Sequence, residues 1–256
     1  MNVIAFVDHE IGFRLLGTIL SAEYRKRLTL RAVVTTPENG SEWWPGVAAV
    51  VGEYGLPLLR YPADRDKLGR LDGIDFFFLI SWKYVLPPEV LNLPSGGVIN
   101  LHYSLLPKCR GVYPVNWAIM RGERETGVTF HRVGAEIDAG PVLCQAALTI
   151  QPEDTARSLQ LRLDDLACSL FDEMVRRLES PGCPPKPVPV PAEGQYYSRR
   201  DFESTNEIDL QKAYRAGELI DLIRGKTFLP HKRNAYFIDP ATGRKVYVSL
   251  QLESGP

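Results

Sequence analysis

No stretch of this sequence approaches the roughly 20 consecutive apolar residues that a spanning helix needs, so no membrane protein is expected. Charge of one sign is also missing. Lys and Arg number 30 against 31 Asp and Glu, a formal net charge of −1, whereas a large nucleic-acid footprint usually shows as a basic excess. Cysteine is sparse: Cys109, Cys144, Cys168 and Cys183 are far apart and form no CxxC pair. Neither a disulfide framework nor a metal site is therefore expected, and free thiols fit a cytoplasmic location. The N-terminal stretch lacks a basic region, and Asp8, His9 and Glu10 fall where an apolar leader would continue, so it reads as a first strand rather than a signal peptide. There is no GxGxxG after that strand, and no internal repeat.

What is present is alternation. Val3–Val7, Leu30–Thr35, Leu58–Tyr61, Asp75–Ser81 and Gly97–His102 read as strands. Helical patterns separate them, including Ile11, Leu15, Leu16 and Ile19, and a stretch from Ser41 to Tyr54. The continuous apolar run within Asp75–Ser81 suggests a strand buried on both faces. This order predicts an α/β fold, a Rossmann-like, mostly parallel sheet flanked by helices. Gly127–His131 and Pro141–Ile150 are further strands. A helix is expected from about Thr155 to Leu178, with Asp154 or Thr155 as N-cap and Leu159, Leu163, Leu166, Leu170 and Met174 on one stripe. Pro181–Pro191 holds six prolines in eleven residues. It reads as a stiff linker, the alternative being an SH3-type ligand. The expected division is a catalytic domain over 1–180, a Pro-rich linker over 181–195 and a small C-terminal α+β module over 196–256. That module would comprise a helix at Leu210–Ile223 and a hairpin of Ala235–Ile238 with Val246–Leu250.

Asn100 and His102 stand two apart at a strand end, so both side chains project to one face. Ligands bind at the carboxyl ends of strands in open α/β sheets. An imidazole can take a proton from an attacking amine, and an amide N–H can hold the oxyanion of a tetrahedral intermediate. Asp138 lies in a glycine-flanked loop, where it could orient His102, stabilise its charge or act through water. By itself Asn-x-His is a weak signal, and an isolated His is more often structural.

The surrounding motifs are more specific. SLLPK-x-RG spans Ser104 to Gly111, G-x-T-x-H spans Gly127 to His131, and D-x-G-P spans Asp138 to Pro141, followed by Gln145. In this order and spacing the chain resembles the 10-formyltetrahydrofolate-dependent formyltransferases over roughly its first 180 residues. The resemblance implies catalysis by Asn100, His102 and Asp138, with N10-formyltetrahydrofolate as co-substrate and no metal. It implies that the backbone of Tyr84, Val85 and Leu86 cradles the pterin, with Gly134, Ile137 and Asp138 closing the other side; Trp82 and Tyr84 could instead cap a core. Two departures occur, Cys109 where many relatives carry an aromatic residue and Ala139 where Thr or Gly is commoner.

Three acceptors compete. The tail from Pro184 carries eleven Lys and Arg against nine Asp and Glu, too modest a balance for a tRNA-holding domain. Glycinamide ribonucleotide enzymes usually stop near the helix that ends at about Leu178. The tail, from Tyr196 to Phe202 onward, and Asn116–Ile119 resemble sugar N-formyltransferases. The resemblance thus implies a small-molecule partner, a nucleoside-diphosphate-linked amino-dideoxy sugar, and a homodimer, with neither nucleic acid nor membrane as partner. Lys83, Arg199 and Arg200 are candidates for the pyrophosphate, the alternative for the arginine pair being a solvated surface. Tyr103 either borders the sugar or packs in the core. A catalytically silent nucleotide-binding module and a formyltetrahydrofolate hydrolase are the readings from other classes.

Overall fold

The computed structural model describes residues 1–36, 46–180, 194–229, 232–253 and 255. Most of the Pro-rich stretch, Cys183 and the start of the Ser41–Tyr54 pattern lie outside the described residues. In chain order the strands are β1 (Asn2–Val7), β2 (Thr29–Thr35), β3 (Leu58–Arg60), β4 (Phe76–Ile80), β5 (Val98–His102), β6 (Arg110–Gly111), β7 (Glu125–Arg132) and β8 (Val142–Thr149). Then come β9 (Tyr196–Tyr197), β10 (Thr227–Phe228), β11 (Lys232–Arg233), β12 (Tyr236–Ile238) and β13 (Lys245–Tyr247). The helices are α1 (His9–Leu20), α2 (Val47–Glu53), α3 (Arg65–Leu68), α4 (Pro88–Leu91), α5 (Pro114–Met120), α6 (Ala156–Glu179), α7 (Arg199–Ser204) and α8 (Ala216–Lys226).

Seven strands form one sheet in the order β3-β2-β1-β4-β5-β7-β8. Strands β1 to β5 are parallel, β7 runs antiparallel to β5, and β8 runs antiparallel to β7. All five residues of β4 are buried, as its apolar run requires of a strand covered on both faces. One face packs Val3, Ala5, Ile99 and Leu101 against α1 and α6. The other packs Ile4, Phe6, Phe77 and Val98 with Leu59, Leu68 and Val90. Strand order reverses between β1 and β4, so a crevice opens at their carboxyl ends.

Helix α6 begins where its sequence predicts. The Thr155 hydroxyl accepts from Ser158 N–H while the Ser158 hydroxyl accepts from Thr155 N–H, which satisfies two helix-end donors. The helix expected at Leu210–Ile223 instead runs Ala216–Lys226, because Asp209 turns the chain by accepting from Gln211 N–H while its own N–H donates to the Tyr214 hydroxyl. The segment from Tyr196 packs directly on the part of the chain before the Pro-rich stretch. β9 pairs with β6, Tyr197 stacks on Trp117 at 4.1 Å, and Phe202 lies 4.3 Å from the Tyr113 ring. No described helix is long and apolar enough to cross a membrane.

Candidate active site

Alternation along β5 decides which way its side chains face. Ile99, Leu101 and Tyr103 belong to the α1/α6 face, so Asn100 and His102 project to the opposite one. The antiparallel neighbour β7 sets His131 directly across from Asn100. Beyond β7 the chain curls back over this face. Gly140 permits the close approach, since a Cβ there would lie 1.8 Å from the Arg132 carbonyl oxygen. The curl delivers Asp138 in a left-handed conformation, φ 52°.

Asp138 becomes the hub. Its Oδ2 accepts from Gly111 N–H at 2.9 Å and lies 3.5 Å from His102 Nδ1. Its Oδ1 lies 3.5 Å from both Asn100 Nδ2 and His131 Nε2. The trio expected from the sequence is thus gathered in one place, together with a fourth residue, His131. That histidine stood in the G-x-T-x-H motif without a role, and only the β5–β7 pairing shows its partner.

Hydrogen-bond partners fix the atoms. His102 Nε2 is 2.9 Å from the Cys109 carbonyl oxygen, which can only accept, so Nε2 carries the proton and Nδ1 keeps its lone pair. His131 Nδ1 likewise donates to the Arg132 carbonyl at 2.9 Å, so its Nε2 accepts from Asn100 Nδ2 at 3.1 Å. One amide hydrogen of Asn100 is thereby anchored. The other has only the long contact to Asp138 and is open to a stronger acceptor.

Burial of His102 (5% exposed) pushes its pKa below the ordinary histidine value, against the opposing pull of the Asp138 charge. Desolvation works to raise the Asp138 pKa, but the His102 charge, His131 and Gly111 N–H outweigh it and hold the carboxyl well below the usual range. The loop that supplies Cys109 is braced from beneath. Thr129 donates to the Ser104 carbonyl at 2.6 Å, and Gln145 Nε2 donates to both Thr129 Oγ1 and the Leu106 carbonyl.

Two regions flank this hub. On the His102 face, Trp82, Leu86 and Val133 all pack on the same core, so the 81–86 and 133–138 loops share that side. Among the described residues, the backbone groups of Tyr84, Val85 and Leu86 have no hydrogen-bond partner. The apolar side chains of Val85 and Ile137 are 77% and 47% exposed. Gly134 is half-buried on the second loop. Free amide edges beside exposed apolar surface suit a flat heterocycle with its own donors and acceptors. Trp82 is half-buried and packs on the core, its ring 5.1 Å from that of Phe6, while the more exposed Tyr84 lies 5.3 Å from the ring of the core residue Tyr61.

On the α1/α6 side, a cavity of about 280 Å³ opens at the strand-order reversal. His9 and Ser81, Tyr103, Tyr113 and Asn116, Arg157, Gln160 and Asp164, and Phe202 contribute to its walls. Tyr103 therefore borders the cavity while its ring packs in the core and its hydroxyl donates to Asp164 at 2.6 Å. Lys83, Arg199 and Arg200 are exposed and outside the lining. Arg157, which the sequence did not single out, is the arginine of the wall, and it pairs with Glu10 at 3.0 Å.

Backbone conformation marks the same place. The non-glycine residues with positive φ among those described are His9, Ser81, Cys109, Tyr113 and Asp138. Three line the cavity and two belong to the hub, a clustering typical of functional sites. Among the described residues no group of His, Cys, Asp or Glu could hold a metal ion.

The chain matches the Formyl transferase family over residues 58–175 and the N-formyltransferase dimerization C-terminal domain over residues 201–254. Similar solved structures include a sugar N-formyltransferase from Shewanella sp FDAARGOS_354, 22% identical over 100% of this chain and 99% of that one, TM-score 0.82. A 4-N formyltransferase from Francisella tularensis is 22% identical over 99% and 98%, TM-score 0.74. An N-formyltransferase from Helicobacter canadensis, in complex with folinic acid and dTDP-3-aminofucose, is 22% identical over 89% and 80%, TM-score 0.73. The likeness to these structures is one of fold. The two family matches, which divide between the halves of the chain, carry the assignment: the chain belongs to the formyltransferase family and is a formyltransferase.

Proposed function

We propose that this formyltransferase moves the formyl group of N10-formyltetrahydrofolate onto the amine of a nucleoside-diphosphate-linked amino-dideoxy sugar, such as a dTDP-4-amino-4,6-dideoxyhexose. One observation carries the reading: Asn100, His102 and Asp138 gather at the end of β5, with a folate-type surface beside them on one face of the sheet and, on the other, a cavity bordered by Tyr103, the residue after His102. The pterin lies against Tyr84, Val85 and Leu86, with Gly134, Ile137 and Asp138 opposite. Exposed Lys83, Arg199 and Arg200 are the candidates to meet the diphosphate outside the cavity. The sugar acceptor is supported by the C-terminal domain match and by the similar structures, one of which binds folinic acid with an amino-sugar nucleotide.

In the reaction the sugar nitrogen attacks the formyl carbon, and the Asn100 N–H held only by the long contact to Asp138 stabilises the developing oxyanion. His102 Nδ1 takes the proton from the attacking nitrogen and returns it to N10 of the folate, whose bond to the formyl carbon breaks. Asp138 stabilises the imidazolium between these two steps.

Purified protein is expected to consume N10-formyltetrahydrofolate only when a suitable amino-sugar nucleotide is added, with a mass gain of one formyl group on the sugar. A panel of such nucleotides scored by mass spectrometry makes the test. Formate release without an amine would replace this reading with the hydrolase, and formylation of glycinamide ribonucleotide or methionyl-tRNA would move the acceptor.

A further inference from the structure

Asp164 is 2% exposed on the buried face of α6, yet it borders the cavity. One of its oxygens is fully engaged: Oδ1 accepts from the Tyr103 hydroxyl at 2.6 Å and from Gln160 Nε2 at 2.8 Å. The other, Oδ2, meets no donor among the described residues, and it is not one of the fully buried atoms left without a partner, so it opens to the cavity. A carboxylate so largely buried is stable only if each oxygen finds hydrogen, and Oδ2 can find it only from what occupies the cavity, water or a ligand. A purely structural brace for Tyr103 would need one oxygen, which an amide or hydroxyl supplies at lower cost. Burial raises the Asp164 pKa, as expected of a carboxyl that its surroundings only half satisfy.

The rest of the lining says what the missing donor belongs to. Glu10 and Asp164 are acidic, and the Arg157 guanidinium is paired with Glu10. Phosphate would meet repulsion here. Tyr103, Tyr113, Phe202 and Phe228 instead supply aromatic surface, which suits an uncharged ring that carries an O–H or N–H. We infer that Asp164 is a specificity-determining residue of the acceptor cavity, its Oδ2 accepting a hydrogen bond from a neutral ring of the acceptor. The donor is a sugar hydroxyl or the ring N–H of a pyrimidine base. Tyr103, the residue after His102, links this contact to the catalytic strand.

This inference rests on the amino-sugar reading, and one experiment separates the two. Wild type, Asp164→Asn and Asp164→Ser are assayed as full chains with N10-formyltetrahydrofolate and the best acceptor of the panel. Affinities for folinic acid and for dTDP are measured alongside. Each variant is expected to raise the acceptor KM by about tenfold or more, with kcat changed much less and folinic acid affinity retained, as for a lost hydrogen bond to a charged group. Weakened dTDP binding identifies the base as donor, and unchanged dTDP binding identifies the sugar; both support the inference. Wild-type KM in both variants would overturn it, as would loss of folinic acid binding in both, which would make Asp164 structural. Absence of turnover by the wild type with every amino-sugar nucleotide would instead overturn the underlying function.

Discussion

In the proposed reaction His102 serves as a base only while neutral, and its surroundings pull on its proton from both sides. Burial is the largest influence and lowers the pKa, while the Asp138 charge raises it. The net direction is downward, so the neutral form persists below the ordinary histidine value and kcat/KM should stay level further into acid than a free imidazole allows. The acid limb of the pH profile is then expected below pH 6.5, the unperturbed value. Asp138→Asn removes the opposing charge. The limb should move to still lower pH, while turnover falls on the order of 10²-fold through loss of imidazolium stabilisation. A pH–rate series on both proteins checks this. A limb that moved to higher pH in Asp138→Asn would show that Asp138 does not act through charge on His102.

At the scale of elements, α7 and α8 are fastened by a side chain outside the reaction. Lys226, 0% exposed, donates to the Phe202 carbonyl and to Asn206 Oδ1, with its Nζ 3.3 Å from the Phe202 ring centroid. Burial pushes its pKa down to about 7. The sign follows from proton counting: between that value and the ordinary 10.5, the unfolded chain binds more protons, so this group makes stability rise with pH. Its destabilising effect is fully present below about pH 7. Thermal melts from pH 6.5 to 10 on wild type and Lys226→Met should show a gain in the wild type that the variant does not share; parallel curves would rule out the depressed pKa. Such tertiary detail explains what the sequence could and could not show. Strands β1, β4 and β5 were legible because buried parallel strands write themselves as apolar runs, and α6 because its stripe and cap are local. α5 was not legible, since Pro114 at its first turn follows a loop motif and reads as part of it. Asn100 and His102 could be located because their two-residue spacing is a local geometric fact. Asp138 entered through family resemblance, and its contacts depend on a loop folding back across the sheet. Asp164 carries a weak signal, an acid four residues after Gln160 beside an apolar helical stripe, but its oxygens acquire meaning only once Tyr103 is opposite.

For the whole molecule the question is how the C-terminal module is completed. β12 and β13 form a two-stranded hairpin, a unit that is marginal in water without further cover. Ile208, Ile223 and Ala235 give it only a small buried cluster. Val246 and Tyr247 on the hairpin remain 39% and 53% exposed, as do Leu210 (52%) and Ile220 (45%) elsewhere in the module. This segment matches a dimerization domain, and a second copy of the chain would supply the missing cover. We therefore expect light scattering after size exclusion to give about twice the 28.7 kDa chain mass. Tyr247→Asp should shift that mass toward the single chain, because a carboxylate on the interface loses its water on association. The consequence should reach the active site, since Phe228 and Asn234, which line the cavity, stand just before the hairpin. A monomeric variant should accordingly show a raised KM for the acceptor with folinic acid affinity unchanged, because the proposed folate surface at Tyr84–Leu86 and Gly134–Asp138 lies outside the C-terminal module. A wild type that stays monomeric at tens of micromolar, within the range of weak specific complexes, would remove the dimer. A monomeric variant with wild-type KM would show that the cavity wall stands without it.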